Sequence, residues 1–71
     1  MNIIGFNIRK IRERKEWTQD LLAAKCNLLQ WNISRGTLAK IEAKVRRVTD
    51  IEVKILAQVL NVTIEELFED T

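Results

Sequence analysis

Four hydroxyl side chains punctuate this chain as a series of short helices. Thr18, Ser34, Thr49 and Thr63 each stand just before a segment whose apolar residues recur at helical spacing. A Ser or Thr in that place accepts a hydrogen bond from a backbone N–H of the first turn, which has no partner inside the helix. Thr49 and Thr63 also have a glutamate three residues on, Glu52 and Glu66, whose carboxylate can reach back to the cap N–H. The acids of these two boxes also lie at the positive ends of their helices. There is no proline and there are two glycines, so little else interrupts the pattern.

The spacing predicts five helices and no strands. The first covers about Ile3 to Lys15, with Ile4, Ile8 and Ile11 on one side and Arg and Lys on the other. The second starts at Thr18 and runs to about Leu29, with Leu21, Leu22, Cys26 and Leu29 toward the core. The third starts near Ser34, ends near Ala43, and buries Leu38 and Ile41. The Thr49 box opens a fourth helix with an apolar stripe of Ile51, Ile55, Leu56, Val59 and Leu60. The Thr63 box opens a short last helix carrying Ile64, Leu67 and Phe68. With 71 residues and no evident linker or repeat, residues 1–71 read as one all-α domain, its core just large enough to fold alone.

Composition excludes several kinds of chemistry. Hydrophobic residues at 46% and charged residues at 31% suit a packed domain rather than a disordered one. The absence of histidine removes imidazole catalysis and histidine–metal sites. Cys26 is the single cysteine, which suits a reducing cytoplasm and reads as a small buried hydrophobe. No apolar run is long enough for a membrane span, and no secretory leader is expected. No cofactor, metal or small-molecule ligand is implied.

The net charge of +2 hides an asymmetry. Up to Val48 there are eleven basic and four acidic residues, a net +7; from Thr49 on there are one and six, a net −5. A basic part with a separate acidic end suits a protein with one face toward phosphates, the alternative being a solvated surface.

The stretch from Thr18 to Glu42 carries the most specific signal. Two short helices joined by a turn, the second opening with Ser and bearing small and basic side chains on its first turn, suit a helix-turn-helix. In that motif the second helix lies in the major groove of DNA. The ordered set Arg12, Thr18-Gln19, Leu22-Ala23, Ile33-Ser34-Arg35, Thr37-Leu38 and Ile41-Glu42 resembles the XRE-type domain of Cro and phage repressors. Leu56-Ala57, Leu60-Asn61-Val62 and Leu67 extend the likeness over nearly the whole chain. The resemblance implies a five-helix lambda-repressor-like fold with helices two and three as the DNA-reading pair. Three features depart from it. The connection from Ala24 to Ile33 is about five residues longer than usual, and Glu16 and Lys44 stand where glycines are common.

Arg35, Gly36, Thr37 and Lys40 are the candidate base-reading residues. Arginine can pair with guanine O6 and N7 in two parallel hydrogen bonds, lysine can contact the same edge less rigidly, and Gly36 would let the helix come close. The bland alternative for Arg35 is a phosphate contact or plain solvation. Thr18, Gln19, Ser34, Lys44, Arg46 and Arg47 are the candidate phosphate contacts, with helix capping as the alternative for the first three and a solvated loop for the last three. By resemblance Gln19 meets the backbone and helps a neighbouring side chain reach a base, and Arg12 forms a structural ion pair with Glu42. Trp17 is expected in the core, and Trp31 in packing over the extra turn.

These readings point to a double-stranded DNA-binding transcriptional regulator of prokaryotic, phage-like type, not an enzyme, acting as a repressor. A domain this small reads few base pairs, so two copies on a near-palindromic operator with half-sites about 34 Å apart are expected. The homodimer interface is expected at Val62, Ile64, Leu67 and Phe68, whose other role is to close the core. The rival readings are the DNA-binding antitoxin of a toxin–antitoxin pair, which normally needs an extra toxin-facing segment, and a helical protein-interaction domain with no DNA role.

Overall fold

The computed structural model describes residues 3–69, which form five α-helices: α1 Ile3–Arg14, α2 Gln19–Leu28, α3 Arg35–Glu42, α4 Asp50–Leu60 and α5 Ile64–Leu67. Each of the four sequence caps closes its helix. Thr18 and Ser34 accept from the N–H groups of Leu21 and Thr37. Thr49 and Thr63 form full boxes, with Glu52 and Glu66 accepting from the cap N–H at 3.0 Å in both.

The helix ends share one device that the sequence spacing did not announce. After α1, α2, α3 and α4 the chain turns through a left-handed residue: Glu16 (φ 61°), Gln30 (φ 66°), Lys44 (φ 67°) and Asn61 (φ 58°). The next N–H then reaches back one and a half turns: Trp17 to Arg12, Trp31 to Cys26, Val45 to Lys40 and Val62 to Ala57. This is the Schellman closure, which satisfies carbonyls left open at a helix end and is usually made with glycine. Its apolar follower packs on the core at Trp17, Trp31 and Val62, whereas Val45, after α3, is 73% exposed.

One core sits among all five helices. Ile8, Leu22, Cys26, Leu38, Ile41, Leu56, Leu60 and Leu67 are fully enclosed. α1 packs on α3, α4 and α5; α2 packs on α3 and α4; α5 packs on α4. Several apolar residues lie elsewhere than their spacing implied. On α4 the buried stripe is Val53, Leu56, Ala57 and Leu60, so Ile51 is 72% exposed and Ile55 and Val59 lie on the flank. Leu21 faces outward because Leu22, Ala23 and Cys26 occupy the inner side of α2. Ile64 and Phe68 remain exposed because the single turn of α5 turns only Leu67 inward. Leu67 is 0% exposed and closes the core, the other role expected of it. Asn7 on α1 fixes this arrangement, its buried amide donating to the carbonyls of Leu67 and Glu69 at 2.8 Å each. Trp17 is half-buried rather than core, its ring flanked by the ammonium groups of Lys15 and Lys25.

The additional residues before α3 are absorbed without separating the two helices. α2 extends to Leu28, and the Asn27 amide donates to both the Ala23 and Ile33 carbonyls. That side chain clamps the turn, and Ile33 drops into the core immediately before the Ser34 cap. No helix among the described residues is long and apolar enough to cross a membrane.

Candidate nucleic-acid interface

α3 is amphipathic over its two turns. Leu38, Ile41 and Glu42 point inward, Arg35, Gly36 and Lys40 are exposed, and Thr37 is half-buried. Ser34 spends its hydroxyl on the cap, accepting from the Thr37 N–H and donating to the Thr37 hydroxyl oxygen. A Cβ added at Gly36 would meet nothing closer than the Ser34 hydroxyl at 3.8 Å. The glycine therefore answers no packing demand and leaves the outer side of α3 bare.

The inner side of α3 is tied to the scaffold by charge. Arg12 Nε and Nη2 donate to the two Glu42 oxygens at 2.8 and 3.0 Å, and Nη1 donates to the Trp17 carbonyl at 2.6 Å. The Glu42 hydrogen bonds raise the Arg12 pKa further above its already high value, so the guanidinium stays charged. Gln19 joins the same carboxylate through Nε2 at 3.1 Å. One end of the Gln19 amide is thus committed to Glu42, which fixes its orientation at the start of α2 beside Thr18.

The basic loop after α3 divides into two parts. Lys44 and Arg47 are exposed, and Lys44 lies 5.5 Å from the Phe6 ring centre. Arg46 is half-buried and grips both Glu52 oxygens at 3.0 and 2.9 Å while donating to the Arg47 carbonyl. It braces the loop against the α4 cap, a role its place in a basic run did not reveal. Glu52 is held below the usual carboxylate range, chiefly by these Arg46 bonds.

Of the expected interface residues, Phe68 lines a shallow groove with Lys44, Arg47 and Val48, so the exposed end of α5 lies beside the basic loop. Ile64 is exposed and Val62 half-buried. Sequence reasoning missed Asp20, on the first turn of α2, whose carboxylate comes to 3.9 Å of Arg35 Nε. Only the docking of α2 against α3 brings these two first turns together.

Elsewhere, burial pushes the Cys26 thiol up to about 11, leaving it protonated and unreactive. Among the described residues no group of three or more metal-ligating side chains occurs, and no buried side-chain nitrogen or oxygen is left without a hydrogen bond. A family model described as helix-turn-helix matches residues 8–67. Neither the curated proteins nor the solved structures compared show a significant match.

Proposed function

This chain belongs to the XRE-type helix-turn-helix family of DNA-binding regulators, and on that premise we propose that it is a cytoplasmic, sequence-specific repressor that grips duplex DNA as a homodimer. The observation that carries this reading is the outer side of α3. Arg35, Gly36 and Lys40 face solvent on a helix whose opposite side is anchored by Leu38, Ile41 and the Arg12–Glu42 pair. A helix held that way can enter a major groove without changing shape.

In this reading Arg35 pairs with a guanine edge, Lys40 contacts a base one turn on, and Thr37 supplies a hydroxyl. Gly36 sets the closeness of approach. Thr18 and Gln19 meet phosphate at the start of α2. Ser34 does so at the start of α3 through the backbone N–H groups there, its hydroxyl being used in the cap. Lys44 and Arg47 neutralise phosphates beside the groove. Arg46 contributes by shaping the loop. Ile64 and Phe68, with the flank of Val62, form the contact with the second copy, which places two α3 helices about 34 Å apart on a near-palindrome.

Selection of bound duplexes from a random library, with affinity measured at two salt concentrations, tests the proposal. An enriched near-palindrome is expected, with affinity falling by a slope of about 0.9 per phosphate neutralised. Arg35→Ala should relax preference at one position, and Arg47→Ala should weaken all sequences alike. No enrichment, with weak and salt-insensitive binding, would overturn it.

A further inference from the structure

We propose that Asp20 is a specificity-determining residue that positions Arg35 for base reading. The inference rests on the DNA-binding role proposed above. Asp20 and Arg35 occupy the first turns of α2 and α3, with side chains 77% and 65% exposed. At 3.9 Å the contact is too long for a hydrogen bond, and an exposed ion pair of this kind adds little to stability. An acid here also opposes the approach of a polyanion. Neither folding nor bulk affinity accounts for the pair.

Its geometry suits selectivity. The carboxylate faces Arg35 at Nε, on the inner edge of the guanidinium. The two terminal nitrogens are left as a parallel donor pair, which is the arrangement that meets guanine O6 and N7. With its charge partly balanced by Asp20, Arg35 is drawn less strongly to neighbouring phosphates, which would hold it equally on any sequence. Asp20 thus lowers affinity for all duplexes and directs the arginine's hydrogen bonds toward one base. Loss of the carboxylate frees Arg35 to swing to the backbone.

The test uses the whole chain and its Asp20→Asn, Asp20→Glu, Arg35→Ala and Asp20→Asn/Arg35→Ala variants, each checked for an unchanged melting curve. Duplexes selected by the unaltered protein are varied at the base pair whose preference Arg35→Ala abolishes. Asp20→Asn is expected to bind unselected duplexes roughly threefold more tightly. Its discrimination at that one base pair should drop by about tenfold, within the worth of a bidentate contact. Asp20→Glu should restore most of the discrimination, and the double variant should discriminate no less than Arg35→Ala alone. If Asp20→Asn shifts affinity for all duplexes equally and leaves the preference intact, Asp20 is only a surface charge and the proposal is overturned, with the DNA-binding role still standing. If the unaltered protein selects no sequence at all, both fall together.

Discussion

Arg12 and Glu42 lie thirty residues apart and meet through two parallel hydrogen bonds that join the last turn of α1 to the last residue of α3. Both side chains are buried, and the remaining Arg12 donor closes on the Trp17 carbonyl at the end of the α1 turn. The carboxylate also receives Gln19 from the start of α2. Three helices therefore converge on Glu42, and the pair sets the rotation at which α3 presents Arg35 and Lys40.

Arg12→Ala should destabilise the fold by about 3–5 kcal/mol, because it strands a buried carboxylate without its partner. Urea unfolding followed by circular dichroism would measure it. Replacing both residues by Leu should cost less than either single truncation, since neither charge is then left behind. A change near zero for Arg12→Ala would mean that Glu42 finds water or Gln19 sufficient.

The two glycines should respond in opposite directions. A Cβ at Gly5 would overlap the Ile41 carbonyl oxygen, so Gly5→Ala should force α1 off α3 and cost about 1–3 kcal/mol. At Gly36 there is room, and alanine should stabilise the helix by up to about 1 kcal/mol. Because the same methyl stands on the outer side of α3, Gly36→Ala should bind its selected duplex more weakly while melting at a higher temperature. Equal or tighter binding by Gly36→Ala would remove close approach as the reason for the glycine.

How far the sequence could be read followed the range of the forces involved. The caps at Thr18, Ser34, Thr49 and Thr63 act within four residues, and each was visible as a hydroxyl before an apolar run. The Arg12–Glu42 pair came from the family likeness, not from spacing, since α1 and the end of α3 meet only on folding. The rotation of α4 is set by what it packs on, so Val53 and Ala57 displaced Ile51 from the core. The Gly5 approach, the Asp20–Arg35 proximity and the Arg46–Glu52 brace depend on the same docking and left no local trace.

Left-handed helix ends give a way to separate stability from binding. Glu16 and Lys44 both occupy backbone conformations that a Cβ disfavours. Glycine at either should stabilise by about 1 kcal/mol, read from urea midpoints at unchanged slope. Glu16→Gly should leave DNA affinity unaltered. Lys44→Gly should lower it for every sequence and reduce the salt slope by about 0.9 if Lys44 neutralises one phosphate. Identical binding by the two variants would take Lys44 out of the contact.

The brace between Arg46 and Glu52 predicts an acid limb in the stability curve. Two hydrogen bonds from Arg46 lower the Glu52 pKa, aided by the Thr49 N–H and hydroxyl and opposed by partial burial. A carboxyl group whose pKa is lower folded than unfolded stabilises the fold above its unfolded pKa. That contribution is lost as pH falls through the folded value, where the native state must also take up the proton. Glu52→Gln removes the charge at all pH values. The variant should therefore be less stable than the unaltered protein at neutral pH, by about 1 kcal/mol for a weakened cap and ion pair near the surface. The gap should close as the pH drops below the carboxylate range. Thermal melts of both proteins across that range would show it. A gap that stays constant with pH would mean that Glu52 acts through its shape and hydrogen bonding and not through its charge.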